Sequence, residues 1–334
     1  LYAQWLSVTA VTPTAGALAG GTAVTITGSG FTGATGATIG NNAITSFVVV
    51  SSTSITGITA AHTAGLVSVV VTGLGGLTAT GPNLYTYNAT VTFNSNNGTG
   101  SMSNQLASTS TALSLLSSGT IAYANSTFLG WATAADGTGT TYADGASFPF
   151  IADTTLYAQW LHVTSISPTS GPLSAGTSTT ITGTGFKGLG VAGGGSSVTA
   201  ITIGGGPVAS FTVSSATSIT VALAPLSATV GAKNVVLTET AGTATGTSLY
   251  TYNATVTFNA NGGTGSMSNQ LASTSTAVTT NIFSRGGATF SGWNTASNGS
   301  GISYANGVIF PFTADTTFYA QWRTTITSTP ASLS

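Results

Sequence analysis

The sequence predicts a mainly β chain, built as an array of sandwich modules alternating with smaller modules rather than as one globular domain. Three observations carry that prediction. Short β-branched runs alternate apolar and polar residues between Gly, Asn, Ser and Pro turns, the period-2 pattern of half-buried strands. No stretch keeps a 3.6-residue apolar period with helix formers. A closing pentapeptide recurs: Leu1-Tyr2-Ala3-Gln4-Trp5 comes back as Leu156-Tyr157-Ala158-Gln159-Trp160 and as Phe318-Tyr319-Ala320-Gln321-Trp322, which marks a periodic array cut inside a module.

Composition narrows the function classes. Charged residues make up 3% of the 334, against about 25% in an ordinary soluble domain. Four basic side chains cannot form the Lys/Arg stripe that grips nucleic acid phosphates or an anionic membrane surface. A net charge of −1 removes the repulsion that keeps chains apart, so self-association is expected. With no cysteine, disulfides and thiolate metal sites are excluded. The longest apolar runs, Phe47 to Val50 and Val67 to Val71, fall far short of a membrane span, so no insertion is expected in this segment. No signal peptide or lipidation motif is visible, an absence that a slice of a longer secreted chain would share.

Taking the chain in order, residues 1–5 read as the last strand of a preceding small module, and residues 6–88 as the first sandwich. In Thr22-Ala23-Val24-Thr25-Ile26-Thr27-Gly28 the apolar Val24 and Ile26 share one face and the threonines the other. Similar runs follow at 43–50, 54–58 and 66–72. The opening Pro13-Thr14-Ala15-Gly16-Ala17-Leu18-Ala19-Gly20-Gly21-Thr22, running on to Gly28-Ser29-Gly30-Phe31, returns in residues 161–253 as Pro168-Thr169-Ser170-Gly171-Pro172-Leu173-Ser174-Ala175-Gly176-Thr177 with Gly183-Thr184-Gly185-Phe186. Both copies end alike, in Leu84-Tyr85-Thr86-Tyr87-Asn88 and Leu249-Tyr250-Thr251-Tyr252-Asn253. This pattern resembles the IPT/TIG family, and the resemblance implies immunoglobulin-like β-sandwiches. Some members bind DNA or sit in receptors; no loop here carries the Arg or Lys for phosphate contact, so a spacer role is expected.

Residues 89–160 and 254–322 are the smaller modules. Each opens on an alternating strand, Thr90 to Asn94 or Thr255 to Asn259, followed by the turn residues Asn96-Asn97-Gly98-Thr99-Gly100 or Asn261 to Gly265. In the first copy a polar stretch from Gln105 to Ser118 carries a weak helix signal. Phe128-Leu129-Gly130-Trp131 and Phe290-Ser291-Gly292-Trp293 come next, then a Gly-rich loop, then the closing pentapeptide. This order resembles the Listeria-Bacteroides repeat, also called the internalin B-repeat. The resemblance implies a small β-grasp-like α+β fold of bacterial surface proteins. All five tryptophans, Trp5, Trp131, Trp160, Trp293 and Trp322, fall in its two motifs and read as core, with Leu156, Ala158 and Trp160 on one strand face. Residues 323–334 look like the start of a further IPT/TIG module.

Catalytic and metal chemistry have little to build on. His62 and His162 do not recur between copies and no nucleophile-elbow pattern is present, so no enzyme, catalytic residue or cofactor is expected. Asp136 and Asp144 sit in a loop that could offer oxygens to calcium, but the second copy has Asn298 and Asn306 there, which suits Asx-turns better. Lys187 and Lys233 both fall in one sandwich, which speaks against a shared isopeptide crosslink. Sequons at Asn88, Asn97, Asn125, Asn253 and Asn298 are expected by chance in so Asn-, Ser- and Thr-rich a chain. The runs 47–50 and 67–71 read as sandwich core, with self-pairing at a sheet edge as the alternative.

The functional expectation is a structural repeat region of a bacterial cell-surface or secreted fibrous protein, extracellular, acting as a stalk. Its expected partners are adjacent repeats or its own kind, head to tail. One alternative is a self-polymerising filament subunit joined by strand addition through residues 1–5. The other is an adhesin that binds a carbohydrate or a host receptor.

Overall fold

Val24 and Ile26 are both buried, while the threonines between and after them point outward on the strand Ala23–Ser29. The alternation read from the sequence therefore sets the faces of the first sheet, which orders Ser7–Thr12, Ala23–Ser29, Ser54–Ile58 and Thr45–Ser51. Facing it are Gly36–Ile39, Gly65–Thr72 and the first half of Thr78–Asn94, paired antiparallel. Ile26 and Ile55 from one sheet meet Ile39, Val69, Val71, Tyr85 and Tyr87 from the other in one core. Phe31 closes it and is fully buried. The computed structural model describes residues 5–118, 120–174, 176–189, 197–222, 224–227 and 229–324. They form two units: the residues up to Ala124 with Phe128–Trp160, and Asn125–Thr127 with the residues from Leu161 onward.

The boundary read at residues 88 and 89 lies inside a single strand. Thr78–Asn94 pairs with Gly65–Thr72 through its first half and with Gln105–Ala107 through its second. Its last residues run parallel to Thr154–Ser167, in register from Val91 with Thr154 to Asn94 with Tyr157. The second unit repeats the plan, with Gly242–Asn259 parallel to Thr316–Thr324 and Ala288–Asn294 antiparallel to it.

Two expectations change. Residues 105–118 form no α-helix: Gln105–Ala107 and Thr111–Ala112 are strands, and Leu116–Ser118 is one 3-10 turn. The Gln105 carboxamide explains it, donating to Ala112 O at 2.7 Å and accepting from Ser114 N at 2.7 Å. These side-chain bonds give the backbone a non-helical alternative, and Gln270 does the same with Ala277 and Thr279. The fold is mainly β, with no α-helix among the described residues.

The run Phe47 to Val50 is not core. Thr45–Ser51 is the outermost strand of its sheet, and Val48 and Val50 are 54% and 61% exposed. Only Phe47 and Val49 pack partly against the core, because a sandwich strand buries one face alone and Val48 and Val50 lie on the other. Its register slips twice against Ser54–Ile58, and such bulges blunt an edge against further pairing. Val67 to Val71 is core as read: Val69 and Val71 are fully buried.

Candidate functional site

The closing pentapeptide and the turn after the opening strand form one clasp in each small module. Asn96 takes φ of 47°, a left-handed conformation that Asn tolerates better than most residues. There its Nδ2 donates to Ala135 O at 2.7 Å and to Ala158 O at 2.8 Å. Trp160 Nε1 donates to Ser95 O at 2.9 Å, and Phe128 and Tyr123 stack edge-on against its ring. Asn261, also at 47°, repeats the pattern with Ser297 O and Ala320 O, and Trp322 donates to Ala260 O at 3.0 Å. The clasp ties residues about 60 positions apart, so no local motif announces it.

Trp131 and Trp293 are fully buried, Trp160 nearly so and Trp322 partly. Trp5 is 80% exposed, and its carbonyl accepts from Ser29 Oγ at 2.7 Å. Leu1, Tyr2, Ala3 and Gln4 lie outside the described residues, as do residues 325–334 of the suspected further module.

Asp136 and Asp144 work as turn acceptors. Asp136 Oδ1 accepts from Thr138 N at 3.0 Å and Thr138 Oγ1 at 2.6 Å, bonds that hold its pKa below the ordinary carboxylate value. Asp144 accepts from Leu116 N at 2.9 Å and from Trp131 Nε1 at 3.4 Å. The second copy makes the same turns without charge: Asn298 accepts from Ser300 and Asn306 from Asn281 N at 2.8 Å. Hydrogen-bond acceptance by a side-chain oxygen is thus what both positions supply in each copy. The exchange has a local consequence, since Trp293 Nε1 is buried without a partner where Trp131 has Asp144.

The remaining titratable groups stand apart, and no cluster of three His, Cys, Asp or Glu exists among the described residues. His62 stacks on Tyr87 at 4.9 Å and its Nδ1 lies 2.7 Å from Thr63 O. His162 Nδ1 lies 2.8 Å from Ser126 Oγ, and burial lowers its pKa. Glu239 is only 7% exposed; burial raises its pKa, partly offset by a hydrogen bond from Ser197. Lys233 Nζ donates to Thr229 Oγ1 at 2.8 Å. Reading the sequence missed Asp153 and Asp315, which accept from Thr90 N and Thr255 N at 2.8 Å and fasten each opening strand. Their Ala-Asp-Thr-Thr setting, identical in both copies, was the available signal.

The IPT/TIG domain profile matches residues 6–87 and 161–271, more than half of the sequence. The chain belongs to the IPT/TIG family. In this IPT/TIG protein the Listeria-Bacteroides repeat domain matches residues 90–159 and 255–321, so the two module types alternate as expected. No curated protein matches it. Among solved structures, the plexin A4 extracellular region is similar at 18% identity and a TM-score of 0.22, over 75% of this chain and 18% of that one. SGBP-B from a xyloglucan utilization locus in Bacteroides uniformis is similar at 14% identity and a TM-score of 0.21, over 74% of this chain and 49% of that one. The ICAM-5 D1–D4 ectodomain is similar at 9% identity and a TM-score of 0.25, over 98% and 92%. No helix among the described residues is long and apolar enough to cross a membrane.

Proposed function

We propose that this IPT/TIG protein is the structural repeat region of a bacterial cell-surface or secreted fibre, a stalk that spaces other domains from the envelope. The observation that supports it is the repeated clasp: Asn96, Trp160 and Asp153 close the first small module, and Asn261, Trp322 and Asp315 close the second through the equivalent hydrogen bonds. Negative-stain electron microscopy of the purified chain is expected to show rods, and round particles would contradict the stalk.

A second reading, a self-polymerising filament subunit, draws on the low charge of the chain, with 3% charged residues and a net charge of −1, which leaves little repulsion between copies. Open head-to-tail contacts between copies build fibres. Deleting residues 1–5 is then expected to abolish assembly seen by sedimentation, and assembly unchanged by the deletion would remove strand addition.

A further inference from the structure

We infer that the second unit carries a binding site for a neutral oligosaccharide on the outer face of its small module. This goes beyond the stalk reading and stands or falls separately from it. The site follows from strand register. Thr255 lies opposite Leu271 and Thr257 beside Thr317; Asn269 and Asp315 extend the same two rows. These six side chains line one open cleft of about 380 Å³, and Pro172 and Ser174 of the sandwich module wall it. That volume lies within the range of small-molecule sites.

The hydrogen-bonding state of Asn269 distinguishes the cleft from the rest of the module. Every other Asn or Gln side chain between 254 and 322 is engaged by an intramolecular hydrogen bond, as with Asn261, Gln270 and Asn294. Asn269 makes none, and neither do the hydroxyls of Thr255, Thr257 and Thr317. Asp315 uses Oδ1 on the Thr255 N–H at 2.8 Å, which leaves Oδ2 to accept from outside. A carboxamide, three hydroxyls and one carboxylate oxygen thus converge with their capacity unspent.

The ligand class follows from what is missing as well as what is present. No cation lines the cleft, so an anion would meet only Asp315. The apolar contribution is limited to Pro172 and Leu271, too little for a lipid or an aromatic ligand and enough for the C–H face of one pyranose ring. A neutral sugar offers hydroxyls that both donate and accept, which matches this set. The first unit has the same side chains at Thr90, Thr92, Asn104, Leu106, Asp153 and Thr155, but Ala17 and Ala19 replace Pro172 and Ser174. Without that wall, the first unit is the weaker site.

Saturation-transfer NMR and calorimetry on the 334-residue chain test the inference, with cellohexaose, xylohexaose and mannohexaose as probes and hexagalacturonate as the acidic control. At least one neutral hexasaccharide is expected to bind. The double variant Asn269→Ala, Thr257→Val, on exposed positions and with an unchanged Tm, is expected to weaken binding about tenfold or more. Three results overturn the site: no neutral hexasaccharide bound at about 10 mM, binding unaffected by the double variant, or hexagalacturonate binding as well as the neutral sugars.

Discussion

Asn96 combines a left-handed backbone with two hydrogen bonds to distant carbonyls, so different substitutions there separate the two contributions. Asn96→Ala loses both bonds and puts a Cβ residue at positive φ without the local compensation of Asn; the expected cost is about 2–4 kcal/mol by urea denaturation. Asn96→Gly restores the backbone freedom and loses only the bonds, so it is expected to cost visibly less. Equal losses would mean that the conformation carries nothing. Glu239 gives a prediction of a different kind. Burial raises its pKa, so between the ordinary glutamate value and the raised one the folded chain holds more protons than the unfolded chain. Stability therefore falls as pH rises through that window and is unaffected by this group below it. Glu239→Gln is expected to flatten the slope, and an unchanged pH profile of Tm would show that the carboxyl is already solvated. The sequence flags these two residues poorly: Asn96 is one of many turn asparagines, and Glu239, although the single glutamate of the chain, ends a strand whose inward face is set by register.

At the level of elements, alternation predicted faces well and an unbroken apolar run did not. Val24 and Ile26, or Val69 and Val71, are buried as period 2 requires. Val48 and Val50 obey the same period on the outward face, opposite Phe47 and Val49, and a run of four apolar residues on an outermost strand does not report locally which of its faces meets the core. The consequence is measurable. Ile26→Ala, in the core, is expected to cost about 2–5 kcal/mol, while Val50→Lys on the outer strand is expected to stay within about 0.5 kcal/mol. Light scattering should show less self-association for Val50→Lys, since a lysine guards an open edge. A large destabilisation by Val50→Lys would mean that this strand is covered. The helix signal over 105–118 failed for a related reason: Gln105 bonds to Ala112 and Ser114, and side-chain geometry of that kind is invisible to propensity.

For the whole molecule, the repeats were the most legible feature, because a pentapeptide that returns twice needs no structural interpretation. The IPT/TIG and Listeria-Bacteroides matches follow the same alternation. What the repeats did not reveal was how each module closes, since the Asn–Trp clasp joins the two ends of a module, or that the cleft at Thr255 and Asn269 keeps its polar groups unspent. The central claim is that the array spaces rather than encloses. Small-angle scattering of the monomeric chain tests it directly, because a compact 334-residue globule has a radius of gyration of about 20 Å. A stalk predicts a value well above that, with the cross-section signature of a rod; a value near 20 Å with a single symmetric distance distribution would contradict it.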